Sequence, residues 1–264
     1  MRGRSLRERI MNGEVIVGTW VLSTNPAFAE IPGLLGFDFV YFDREHTSNS
    51  WETIEKLILA SLSVDTPSII RIEDNDPVNI RKTFELGAQG VLVPHVCTRE
   101  DAESIVKAAK FPPLGIRGTA DTVRSAGYHV DDMKKYLSES NKNTLVCALI
   151  EDKEAMENIE EIASVEGLDV LCFGAGDYST SVGRPGEGIR ANVVKEAFEE
   201  MIRVARKYKK AVWFSPASPT PEQVKELISK GVQILMIGND MRAFYVSLRE
   251  VMENVVNKVI RKPC

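Results

Sequence analysis

Four stretches of the chain place charged side chains directly after short apolar runs. Residues 37–42 lead into Asp43, Arg44, Glu45 and His46, and residues 68–72 carry Arg71 near their end. Residues 145–150 lead into Glu151, and residues 169–173 into Gly174, Ala175, Gly176 and Asp177. Glu151 and Asp177, with no cysteine or second histidine close by, form a donor set for a hard divalent cation that takes oxygen ligands and leaves positions for water and substrate. Magnesium or manganese is the natural guest, with cobalt a further candidate. Arg71 offers a permanent positive charge that forks onto a carboxylate or a developing oxyanion. His46 carries an imidazole and so can move protons. The small residues Gly174, Ala175 and Gly176 let backbone N–H groups face an anion.

Each of these residues also has an ordinary reading. An acid at a strand end serves as a helix cap or an ion-pair partner. A histidine among carboxylates is often only hydrogen-bonded, Arg71 can pair with Glu73, and a glycine-rich segment can be a plain loop. Their shared position, just after apolar strands, raises them together above those readings. It requires a fold in which strand ends converge.

Eight strand-like segments recur, at 15–21, 37–42, 68–72, 90–94, 145–150, 169–173, 211–214 and 234–237. Several are continuous β-branched or aromatic runs, the pattern of strands covered on both faces in a parallel sheet. Helical stretches with legible ends lie between them. Asp76-Pro77 opens one that Gly87 closes, and Thr220, Pro221 and Gln223 form a capping box before a helix ending near Gly231. Residues 192–207 line up Val194, Ala197, Phe198, Met201 and Ala205 at helical spacing. Eight such units in 264 residues predict one (β/α)8 barrel, α/β in class, over the whole of residues 1–264, with catalytic groups at the strand C-terminal ends. Residues 111–143 break the rhythm with Pro112, Pro113, Gly115, Gly118 and Gly127, and predict an enlarged loop after the fourth unit. Arg117 and Arg124 there are candidates for the distal end of an acidic substrate or for solvated surface charge. His95 and Trp20 are read first as packed residues, and second as lining the mouth, Trp20 as an apolar wall.

Composition narrows the function. At 44% hydrophobic and 27% charged, the chain is neither disordered nor fibrous. Lysine and arginine total 33 against 38 acids, a net charge of -5, which offers no surplus for a phosphate backbone and argues against a nucleic-acid partner. No run approaches the ~18 apolar residues of a membrane span. Residues 1–14 lack the unbroken apolar stretch of a signal peptide. Cys97, Cys147, Cys172 and Cys264 are too far apart for a zinc or dithiol pair, which fits a reduced, cytoplasmic setting.

The segments GTWVLSTNP (Gly18 to Pro26), GFDFVYFDREH (Gly36 to His46), the Arg71 strand, ELGAQGVLVPHV (Glu85 to Val96), FPPLGIRG (Phe111 to Gly118), Ile150-Glu151 and FGAGDYS (Phe173 to Ser179) resemble, in order and spacing, the HpcH/HpaI aldolases, the class II pyruvate aldolases. The resemblance implies a barrel of the phosphoenolpyruvate/pyruvate-binding superfamily type. It also implies a homo-oligomer, usually a hexamer, whose last helix packs on a neighbouring subunit. The implied reaction is reversible cleavage of a 2-keto-4-hydroxy acid into pyruvate and an aldehyde. By the same resemblance, Glu151 and Asp177 are metal ligands, His46 oriented by Asp43 is the acid/base, Arg71 holds the keto oxygen, and amides near Ala175 hold the carboxylate. Glu85 stands for an aspartate that the family presents toward the histidine across a subunit interface. Arg44, Leu149, Ala175 and Tyr178 stand where the family commonly has glycine, glutamine, proline and leucine. Two other readings stay open: a related enolate enzyme, such as a decarboxylase or acyl-thioester lyase, and a non-catalytic keto-acid-binding barrel.

Overall fold

The computed structural model describes residues 4–217 and 219–260. Eight strands alternate with helices: α1 (Leu6–Met11), β1 (Ile16–Val21), α2 (Ala27–Leu34), β2 (Phe39–Asp43), α3 (Trp51–Ser63), β3 (Ser68–Arg71), α4 (Pro77–Glu85), β4 (Gly90–Val93) and α5 (Arg99–Ala109). After α6 (Met133–Asn143) come β5 (Leu145–Ile150), α7 (Lys153–Glu157), α8 (Ile159–Ala163), β6 (Val170–Phe173), α9 (Ala175–Ser181), α10 (Asn192–Lys207), β7 (Ala211–Phe214), α11 (Pro221–Lys230), β8 (Val232–Asn239) and α12 (Asp240–Val251). Every neighbouring pair is parallel and β8 closes onto β1, so the strands form a closed barrel in chain order. This is the predicted (β/α)8 architecture. The predicted caps are also present. Asp76 accepts from the Val78 amide, and Thr220 and Gln223 cap α11 reciprocally.

Two apolar layers hold the barrel. Outward residues such as Val40, Phe42, Ile70, Val91 and Ile150 pack under the helices, joined by Val194, Phe198 and Met201 of α10. Inward residues fill the barrel: Phe39 and Tyr41 of β2, Ile69 of β3, Leu145, Cys147 and Leu149 of β5, Cys172 of β6 and Trp213 of β7. Trp213 meets Phe39 and Tyr41 edge to face, with centroids 5.5 and 5.6 Å apart. Gly18 makes room for this cluster, because a Cβ there would stand 2.3 Å from the Phe39 ring.

Helix α1 has no counterpart among the predicted elements. Its Leu6 and Ile10 insert into the inner cluster, with the Leu6 amide donating to Gln89 Oε1 (2.9 Å) and Gln233 donating to the Ile10 carbonyl (3.0 Å). It plugs the end of the barrel where strands begin. The connection after the fourth unit is enlarged, as predicted, and contains α6. Because residues 111–143 run from α5 to β5, within one chain they lie at the plugged end and not at the mouth, which corrects the substrate-end reading of their arginines. Arg117 is accordingly buried, 4% exposed, with its guanidinium 4.4 Å from the Phe111 ring and 5.2 Å from that of Phe84. Arg124 donates to the Tyr128 hydroxyl. Neither reaches the mouth of its own chain. Cys97, Cys147 and Cys172 are free, and Cys264 lies outside the described residues. Among the described residues no helix is long and apolar enough to cross a membrane.

Candidate active site

Strand parity carries the site residues to the barrel mouth. Side chains alternate between faces, so the inward series Phe39–Tyr41 continues to Asp43, Ile69 continues to Arg71, and Cys147–Leu149 continues to Glu151. Gly174 follows Val170 and Cys172 on the same series, and Trp20 follows Gly18.

Arg71 is the fixed cation of the mouth, 6% exposed. Its Nε and Nη2 donate to the two Asp43 carboxylate oxygens at 2.8 and 2.7 Å, a bidentate fork. Nη1 stands 2.9 Å from Glu45 Oε2, out of hydrogen-bond alignment, and that oxygen has no hydrogen-bond partner. Burial disfavours the charge of Arg71, but Tyr41, Asp43 and Glu45 more than offset it and raise its pKa. The guanidinium lies 5.1 Å from the Trp20 ring, which is edge-on to Tyr41. Trp20 therefore walls the site beside Arg71, and its buried Nε1 has no partner. The alternative pairing of Arg71 with Glu73 does not occur. Glu73 pairs with Arg44 at 2.6 Å, and Arg44 lies over the Trp51 ring, turned outward.

Asp43 does not orient the His46 ring. Its oxygens are taken by Arg71 and by the amides of Glu45 (3.0 Å) and His46 (3.4 Å), so it shapes the loop backbone and leaves the imidazole free. The His46 side chain is 56% exposed, and its ring's near acid is Glu45, 3.8 Å from Nε2. Glu85 ends α4, paired with Arg81 at 3.6 Å. It faces the plugged end, so only another copy of the chain can bring such a residue to His46.

Glu151 is 2% exposed, and its pKa is pushed up to about 7. Burial is the main cause, and the charges of Glu45 and Asp177 add to it; the amide and ring of His95 work the other way. Gly174 explains how the acid fits, because a Cβ there would lie 2.6 Å from Glu151 Cβ and 2.9 Å from Oε2. Asp177 sits exposed in the first turn of α9, near enough to act electrostatically on Glu151. Among the described residues, however, the group of acids and imidazoles that comes together is a different one. Ligand atoms of Glu45, His95 and Glu151 lie within 4.8 Å of one another. A buried carboxylate short of positive charge, grouped with two further donors, fits a divalent ion.

His95, whose sequence context points first to a packed residue and second to the mouth, stands at the mouth. Its side chain is 59% exposed, and Nδ1 lies 2.9 Å from Asp152 Oδ2, 3.6 Å from Glu151 and Nε2 3.7 Å from Glu45. The Asp152 hydrogen bond, opposed by desolvation, raises its pKa, and Glu151 and Glu45 add to the rise. The strand-end rule that found Glu151 also points here, since His95 follows β4 by two residues. Leu149 is buried in the inner cluster, and Tyr178 packs on Phe173 at 5.4 Å.

A closed parallel barrel with a fixed arginine, a buried carboxylate and imidazoles at its open end defines a lyase of the class II aldolase type. A model of the HpcH/HpaI aldolase/citrate lyase family matches residues 17–246, and the chain belongs to that family. It is 28% identical over 231 residues, 88% of each chain, to the 5-keto-4-deoxy-D-glucarate aldolase of Shigella boydii serotype 18, and 29% identical with the same coverage to that of Klebsiella pneumoniae. Among solved structures, an HpcH/HpaI aldolase from Desulfitobacterium hafniense superposes with a TM-score of 0.92 at 25% identity, covering 99% of this chain and 100% of that one. A citrate synthase superposes with a TM-score of 0.87 at 30% identity, covering 96% and 98%.

Proposed function

We propose that the chain cleaves a 2-keto-4-hydroxy acid, of the kind named for its relatives, reversibly into pyruvate and an aldehyde. The observation that carries this reading is the Arg71–Asp43 fork set beside the buried Glu151, which supplies fixed positive charge where negative charge develops. In the cleavage direction a base removes the C4 hydroxyl proton, the C3–C4 bond breaks, and its electron pair moves through C3–C2 onto the keto oxygen. Arg71 Nη1, not bound by Asp43, stabilises that oxygen in a dry setting. His46, exposed and free of Asp43, takes the hydroxyl proton and returns one to C3. The Ala175 and Gly176 amides, in a first turn where no intrahelical acceptor exists, receive the pyruvate carboxylate. Trp20 walls the aldehyde half. Glu151 and Asp177, with Glu45 beside them, would hold a divalent ion, magnesium, manganese or cobalt, which when bound supplies Lewis-acid charge at the keto oxygen.

The partner is thus a small keto acid, in a reduced, cytoplasmic setting that suits the free Cys147 and Cys172. A homo-oligomer, hexameric by resemblance, is supported by α12, which exposes Phe244, Tyr245, Leu248 and Val251. Glu85 of one copy then serves His46 of another. The test is pyruvate release from a 2-keto-4-hydroxy acid before and after exhaustive chelation. Release restored by a divalent ion is the expected result; full activity of Glu151→Gln after chelation overturns the ion assignment. Pyruvate methyl-proton exchange, lost in His46→Ala with binding retained, checks the base.

A further inference from the structure

We infer that His95 is a protein ligand in the ion site, giving this barrel a nitrogen donor beside its carboxylates. The inference rests on the reading that the mouth holds a divalent ion and adds the identity of a third donor and the resulting metal preference. Four features of His95 support it. Nδ1 lies 2.9 Å from Asp152 Oδ2, so in the neutral ring the proton sits on Nδ1 toward the carboxylate and the lone pair on Nε2, the arrangement that orients a ligating histidine. Nε2 is 3.7 Å from Glu45 Oε1. Two atoms bound at about 2.1 Å to one ion stand about 3.0–3.6 Å apart at ordinary ligand angles, so only a small closure is needed. The His95 backbone is left-handed, with φ +51°, a conformation uncommon outside glycine, and its amide donates to Glu151 Oε1 at 3.1 Å. That hydrogen bond locks the strained turn to a carboxylate of the same site. Finally, the ring lies exposed above three acids and is not packed in the core, so burial does not account for its place.

The consequence concerns metal choice. An all-oxygen site suits magnesium, whereas an imidazole nitrogen favours later first-row ions such as Co2+. The experiment titrates the intact oligomer with Co2+ and, separately, Mg2+, following calorimetry and the visible absorption of bound Co2+. His95→Asn keeps a residue that tolerates positive φ. It is expected to weaken Co2+ binding about 100-fold and to alter the Co2+ spectrum, with Mg2+ affinity changed by only about threefold. Asp152→Asn, acting through the ring, is expected to weaken Co2+ about tenfold. An unchanged Co2+ affinity and spectrum in His95→Asn overturns the inference while leaving the ion reading intact. Failure of the unaltered protein to bind either ion overturns the ion reading, and this inference with it.

Discussion

The two ends of the barrel treat buried charge in opposite ways. At the plugged end Asp169 is buried, which raises its pKa, but it is surrounded by partners: Arg7 Nε donates at 2.9 Å, the Val146 amide at 3.1 Å, and Lys110 and Lys210 lie close by. Lys110 in turn donates to the carbonyls of Asn141 and Thr144. Arg9 pairs with Asp38, whose other oxygen accepts from the Val17 amide. At the mouth Asp43, Glu45, Glu151, Asp152 and Asp177 gather around one fixed cation, Arg71, with His95 and His46 in addition. Charges that are paired at the closed end fix the fold. Charges left short of partners at the open end await a ligand, and the fold bears their cost.

This contrast can be broken experimentally. The largest effect is expected from Arg71→Met, which removes the charge at the developing oxyanion and should lower kcat for pyruvate release about 1,000-fold; circular dichroism checks that the barrel persists. Asp169→Ala should do the reverse, costing about 3 kcal/mol in denaturant unfolding, because Arg7 and Lys110 lose their counter-charge, while kcat stays near its original value. Glu151→Gln should abolish ion-dependent activity yet stabilise the ion-free protein. The folded pKa of Glu151 is raised from 4.5 to about 7, so the fold holds that proton more tightly than the unfolded chain does. Native stability is therefore lost as pH rises from about 4.5 through 7. The variant, free of that loss, should be more stable by about 3 kcal/mol at pH 8 and equal near pH 4, as read by urea unfolding. The smallest effect is expected from Arg44→Met. Its pair with Glu73 and its stacking on Trp51 lie outside the mouth, so a loss of about 1 kcal/mol in stability with unchanged kcat would separate the two neighbouring arginines. Loss of activity there would blur the division.

The fold was legible because each strand is a short apolar run of its own, and Asp76 and Thr220 cap their helices by local chemistry that needs no tertiary context. Strand parity likewise fixed that Asp43, Arg71 and Glu151 face one end. What escaped were choices among equivalent partners. Several acids stand within reach of Arg71 and His46, and only packing decides that Asp43 forks onto the arginine while Glu45 lies beside the imidazole. Arg117 stands away from the mouth because residues 111–143 connect α5 to β5, at the barrel end where strands begin. The α1 plug was hidden by its six-residue length, too short for a periodic signal.

The missing side chain at position 174 sets the depth of the acid beside it. One methyl group there would collide with the Glu151 stem, so any larger residue at position 174 must displace the acid. Glycine at position 174 is thus what gives this barrel the space to seat a carboxylate deep in its strand-end ring.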